Sequence, residues 1–137
     1  MSFDPAELVI DTEDMPWLPM GEGAWGKILR TCPETGRWTV LFKQEAGTHA
    51  PPHRHLGAAD FFVLQGRIEY RGGVATAGCF AREPMNAIHE RTEFVEETIY
   101  LFAAEGPMAM LAEDGSIAGI MDASTFAAMR DAAAAGG

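Results

Sequence analysis

The sequence predicts an all-β domain closed into a barrel-like jelly roll, and three observations carry that expectation. Between Trp25 and Asp122, turn residues cut the chain into short runs, at 33–36, 47–52, 66, 72–73, 78, 84–86, 106–107 and 114–115. The intervening runs are rich in β-branched and aromatic residues, which suit a pleated, half-buried surface. Many short antiparallel strands leave many edges, and a chain of 137 residues hides them best by closing or stacking its sheets within one domain.

The elements follow in order. Residues 1–24 are expected as an extended N-terminal arm, because the apolar run from Met15 to Met20 (MPWLPM) is broken by two prolines. Such an arm can lie on its own barrel or on a neighbouring subunit. Trp17 and Leu18 would otherwise face water, so a homodimer or higher homo-oligomer is the expected state. Strands are expected at 37–43 (RWTVLFK), 60–64 (DFFVL), 67–70 (RIEY), 98–102 (TIYLF) and 108–112. The stretch 122–135 breaks the pattern: Asp122 can cap an alanine-rich helix that carries Phe126 and Met129 on one face. No internal repeat or linker divides the chain, so residues 1–137 read as a single domain.

Ten Lys and Arg face twenty Asp and Glu, a formal charge of -10 that argues against nucleic acid and anionic membranes as partners. The acids are scattered (Asp11, Glu13, Asp14, Glu96, Glu97, Asp114) and read as a solvated surface. Cys32 and Cys79 stand far apart, without the spacing of a redox pair or a zinc knuckle, which fits a reduced compartment. The N-terminus lacks the basic flank and apolar run of a signal peptide, and no window of about 18 apolar residues suits a membrane span. A cytoplasmic protein is the expectation.

The chemistry concentrates in GTHAPPHRHLGAADFFVLQG, residues 47–66, where His53 and His55 stand one residue apart in a strand-like stretch. Side chains at i and i+2 of a strand share a face about 7 Å apart along the chain, so the pair can offer two imidazoles to one ion. His89 follows after a glycine-punctuated interval and can supply a third. His49 is separated from the pair by Pro51 and Pro52 and reads as a loop histidine. Cys79, as a lone thiol, reads as packing.

The spacing of Gly47, His53, His55 and Gly66, with a later-strand histidine, resembles the two motifs of the cupin superfamily, which implies a double-stranded β-helix with a short C-terminal helix. Many cupins place a glutamate four residues after the second histidine. Here that position is Ala59, with Asp60 one step later, and alternation sends Asp60 to the other face unless a bulge intervenes. A three-histidine site and a site adding Asp60 therefore both stand.

Nearly the whole chain is similar to the cupin dioxygenases that cleave carbon–carbon bonds, the acetylacetone and 2,4'-dihydroxyacetophenone enzymes among them. The segments PWLPMGEGAWGKILR, GRWTVLFKQEAG, HRHLGAADFFVLQGRIEYRGG and LFAAEGPMAMLAEDGSIAGIMD carry the likeness. The resemblance implies ferrous iron on His53, His55 and His89, with dioxygen and a small molecule as reaction partners. It further implies roles near the metal for Glu83, Arg71 and Thr92. Strict alternation would instead set Arg91 beside His89, so one of those two assignments needs an irregular turn. Phe61 stands where the acetylacetone enzyme has a tyrosine.

Three imidazoles leave coordination positions open, which suits a bidentate oxygen substrate and dioxygen side by side. Phe42, Phe61, Met85, Leu101 and Met108 are candidates for an apolar pocket, although inward strand positions must be filled in any barrel. Two further readings compete with an iron dioxygenase acting on a β-dicarbonyl or hydroxyketone. One is a non-catalytic metal-binding sensor, since similar cupin modules occur in zinc-binding anti-sigma factors. The other is a hydrolase or isomerase using zinc or another divalent transition metal on the same scaffold.

Overall fold

The computed structural model describes residues 8–136. The strands are β1 (Leu18–Gly21), β2 (Ala24–Thr31), β3 (Trp38–Gln44), β4 (Thr48–Ala50), β5 (His53–His55), β6 (Ala59–Gln65), β7 (Arg67–Tyr70), β8 (Gly73–Thr76), β9 (Phe80–Glu83), β10 (Ile88–His89), β11 (Thr92–Phe94), β12 (Thr98–Ala104), β13 (Met108–Leu111) and β14 (Ile117–Met121). The helix α1 spans Ala123–Gly136. Every strand pairing is antiparallel. One sheet runs β1-β2-β3-β12-β6-β9, and two four-stranded sheets run β10-β5-β13-β14 and β4-β11-β7-β8.

Alternation explains which residues fill the interior. On β3, Trp38, Val40 and Phe42 lie opposite Ala104, Phe102 and Tyr100 of β12, and residues directly opposed on an antiparallel pair share a face. β6 adds Ala59, Phe61 and Val63 to the same side, and all three are buried. Trp38 stacks on Phe102 and donates its indole hydrogen to the Gly106 carbonyl at 3.0 Å, which satisfies the one polar atom of that ring.

α1 closes one end. Its start is fixed by Asp122, whose Oδ1 accepts from the Thr125 amide at 2.9 Å, so the cap expected there is present. The helix packs on β2 and β14. Phe126 is 1% exposed and sits 4.5 Å from the Trp38 ring, with Met129 also packed on the core.

The N-terminal arm is more structured than a proline-broken run suggests. Thr12–Asp14 form a 3₁₀ turn, and β1 pairs with β2 through a bulge between Pro19 and Gly21. Trp17 lies under the ammonium groups of Lys27 and Lys43, 4.5 and 4.6 Å from its centroid, and Lys27 donates to the Thr12 carbonyl at 2.7 Å. Residues 1–7, the remainder of the expected arm, lie outside the described residues. The very short β4, β5 and β10 leave too few residues for a period-two pattern to register, yet β5 and β10 carry His53, His55 and His89. β4 carries His49, a strand residue opposite Glu93 rather than the expected loop histidine.

Candidate metal centre

β5 is the middle strand between β10 and β13, and this position assembles the three imidazoles. His53 stands directly across from His89 on β10, while His53 and His55 face Met110 and Met108 on β13. The i, i+2 spacing turns both β5 histidines inward, with Arg54 between them exposed. Ring centroids lie 5.0 Å apart for His53 and His55, 5.2 Å for His53 and His89, and 5.1 Å for His55 and His89. The three rings form a nearly equilateral triangle.

Glu83 completes the cluster. It ends β9 opposite Ala59 of β6, and its donor atom and those of His53, His55 and His89 all lie within 4.8 Å of one another. Glu83 Oε2 is 2.5 Å from His89 Nε2 and also contacts His55 Nε2. The turn after β9 holds this geometry: the Asn86 amide donates to the His55 carbonyl and the His55 amide to the Ala87 carbonyl, at 2.6 and 2.9 Å. Asn86 adopts φ 69°, a left-handed conformation that Asn tolerates better than most side chains.

The donor atoms suit a metal. His55 Nε2, Glu83 Oε2 and both ring nitrogens of His89 are buried without an aligned hydrogen-bond partner among the described residues. Unpartnered buried polar atoms are costly, and four of them in one cluster call for a cation. His53 differs in that its Nδ1 donates to the Pro51 carbonyl at 2.9 Å, which leaves Nε2 free as a ligand atom. Burial lowers its pKa from 6.5 to about 4, with His55 and His89 adding to the effect, so it is neutral near pH 7. Burial alone would raise Glu83, but proximity to His55 and His89 brings it from 4.5 down to about 2. A neutral His53 and an ionised Glu83 are protonation states that transition-metal binding requires.

Two cavities adjoin the cluster. A chamber of about 610 Å³ is lined by His53, Phe42, Tyr100, Phe102, Met108 and Phe126 among others, with Glu22, Glu45 and His49 also on its wall. A second cavity of about 40 Å³ is bounded by His53, Phe61, Tyr70, Thr92 and Tyr100. Ala50, His53 and Tyr100 border both.

The remaining candidates divide. Phe42 and Met108 line the chamber and Phe61 the small cavity, whereas Met85 is 63% exposed on the turn after β9. Leu101 pairs with Leu41 and Phe62, one position out of phase with the inward Tyr100 and Phe102, so it faces away from the chamber. Both depart from the expected pocket. Asp60 is outward, as alternation demands, and pairs with Arg82 at 2.8 Å. Thr92 is buried beside His53 while exposed Arg91 pairs with Glu93, because residues 90–91 interrupt the strands and reset the alternation. Arg71 is exposed, and its Nη1 reaches the Ile88 carbonyl at 3.5 Å, on the strand that bears His89. Tyr70, Tyr100 and the chamber methionines Met20, Met110 and Met121 were not anticipated. Inward parity with Thr98 and Phe102 would have found Tyr100.

Packed antiparallel sheets that turn three histidines and one glutamate inward to a single cluster define a cupin with a candidate metal site. The chain belongs to the ChrR cupin-like domain family, whose profile matches residues 5–109. It is 28% identical over 123 residues to the acetylacetone-cleaving enzyme of Acinetobacter johnsonii, covering 82% of this chain and 80% of that protein. The crystal structure of acetylacetone dioxygenase from the same organism superposes with a TM-score of 0.86 at 26% identity, covering 91% of each chain. The anti-sigma protein ChrR of Rhodobacter sphaeroides, solved in complex with SigE, gives a TM-score of 0.61 at 26% identity over 69% of this chain and 51% of that one. Among the described residues no helix is long and apolar enough to cross a membrane.

Proposed function

We propose that this cupin is an iron(II)-dependent dioxygenase that cleaves a carbon–carbon bond in a neutral β-dicarbonyl or hydroxyketone. The observation that carries the reading is the junction of the buried donor cluster with the roomy apolar chamber through His53. His53, His55, His89 and Glu83 would hold the ion, with Glu83 as a fourth donor rather than a neighbour of the ligands. Four protein donors on an octahedral ion would leave two positions for exogenous oxygen ligands, enough for one chelating ketone. Bound iron(II) would supply a cationic centre that favours an enolate and redox chemistry toward dioxygen.

The protein's own share is binding and exclusion. Phe42, Phe102, Phe126 and the methionines exclude water from the reacting carbons, and methionine adapts to varied carbon skeletons. Among the described residues no Lys or Arg lines the chamber, while Glu22 and Glu45 do, which disfavours carboxylated substrates and selects neutral ketones. The similarity to the acetylacetone-cleaving enzyme supports this class of substrate.

A second reading follows from the same fourth donor. Three imidazoles and a carboxylate also satisfy tetrahedral zinc, a closed shell suited to a sensor, and the likeness to ChrR points the same way. A zinc-dependent hydrolase or isomerase would need one of those four positions open. Protein loaded anaerobically with Fe(II) should consume dioxygen when given acetylacetone. No uptake across a panel of diketones and hydroxyketones, with zinc retained against a chelator, would overturn the dioxygenase in favour of the sensor.

A further inference from the structure

We infer that the Tyr100 hydroxyl is a specificity device of the chamber: it donates a hydrogen bond to a substrate oxygen beyond the two a metal centre takes. The inference rests on the dioxygenase reading and narrows its substrates to ketones carrying a third acceptor.

Tyr100 occupies the wall shared by the large chamber, the small cavity and His53. Three rings fix its own: Phe42 and Phe94 stack on it at 5.4 and 5.8 Å, and Phe61 meets it edge-on at 6.0 Å. The phenol is therefore held in place before any ligand arrives, which spares the ordering cost of binding. Tyr100 is half-buried, and its hydroxyl forms no hydrogen bond among the described residues, which leaves it open to a ligand.

Among the described residues on the wall of the large chamber, no other polar side chain beyond His53 is a free buried donor. Gln44 donates to Thr48 at 3.1 Å, and the Thr48 hydroxyl donates to the Glu45 carbonyl at 2.7 Å. Glu22 and Glu45 only accept when ionised, and His49 is exposed. Burial, reinforced by the charge of Glu83, raises the Tyr100 pKa well above its ordinary value, so the hydroxyl keeps its proton. An uncommitted donor on a rigid ring, beside the donor cluster and inside an apolar chamber, discriminates by what it would leave unpaired.

The test uses anaerobic Fe(II)-loaded protein, wild type and Tyr100→Phe, titrated with heptane-2,4-dione and heptane-2,4,6-trione, which share a carbon chain and differ by one carbonyl. Binding is read from the ultraviolet band of the bound ligand, without turnover. Tyr100→Phe keeps the stacked ring, and its far-ultraviolet circular dichroism should match wild type. The trione should bind roughly tenfold more weakly to the variant, with the dione unchanged within about twofold. Equal affinities, or an equal loss for both ligands as a purely structural wall would give, overturn the role of Tyr100 alone. Failure of the wild type to bind either ligand overturns the dioxygenase reading and the inference with it.

Discussion

Glu83 Oε2 lies 2.5 Å from Nε2 of His89 and also contacts Nε2 of His55, and all three atoms are buried. A carboxylate so placed beside imidazole nitrogens does more than orient them, since its charge offsets that of the ion they would share. Exchanging Glu83 for Gln keeps the shape and removes the charge. Metal affinity should fall by about 100-fold or more, measured by competition with a chromogenic chelator. Asp60→Asn, on the outer surface, should leave it unchanged. Equal affinities in both variants would remove Glu83 from the ligand set.

Acidification should weaken the metal-free protein through His53. Its folded pKa of about 4 is below the ordinary 6.5, so between those values the unfolded chain binds a proton that the folded chain does not. Stability is therefore complete above about pH 6.5 and falls as pH drops through the window. The 2.5-unit difference corresponds to about 3 kcal/mol at its acid end. Glu83, lowered from 4.5 to about 2, has the same sign with its loss below pH 4.5. Calorimetry of metal-free protein should show the melting temperature declining from pH 7 to 4.5. A flat profile would contradict a buried neutral His53.

The sequence made the histidines legible because a strand's period of two is strict: His53 and His55 share a face whatever the rest of the fold does. The same rule placed Asp60 outside. It failed where phase was lost. Residues 90–91 break the strand, so Thr92 rather than Arg91 turns inward beside the site, and no local signal marks that break. Leu101 was assigned to the pocket by its apolarity, which cannot tell the inner from the outer face of a sheet whose outer face is also apolar. Phe62, Leu64 and Phe80 stand exposed on that outer face. Glu83 was found only through resemblance, since β9 is four residues long and shows no periodicity of its own.

Phe126 joins the fold to the function. It is 1% exposed, packs on Trp38 and lines the chamber. Phe126→Ala should destabilise the protein by about 3–5 kcal/mol, measured by urea unfolding. It should also enlarge the chamber, so a ketone with a bulkier tail gains affinity relative to acetylacetone. Loss of stability with no change in ligand preference would separate the helix from the substrate space.

The two glycines with positive φ at positions 36 and 66 make a matched test of what the motif glycine does. Gly36 has φ 78° with open space where a Cβ would stand, so Gly36→Ala costs only the left-handed conformation, about 1 kcal/mol. Gly66 has φ 95°, and a Cβ there would meet the Glu97 carbonyl oxygen at 2.4 Å and the Thr98 Cα at 2.6 Å. Both obstacles include backbone, so the crossing of β6 into β7 over the start of β12 must shift. Thr98 Oγ1 accepts from the Arg67 amide at 3.0 Å across this crossing, and that bond would be strained as well. Gly66→Ala should therefore cost several-fold more than Gly36→Ala in urea unfolding, about 3 kcal/mol or more. Since β12 carries Tyr100 and β6 carries Phe61, the shift should also weaken ligand binding in Gly66→Ala protein that remains folded. Equal stability of the two variants would mean that the glycine is there for its backbone angle and not for the close approach of the strands.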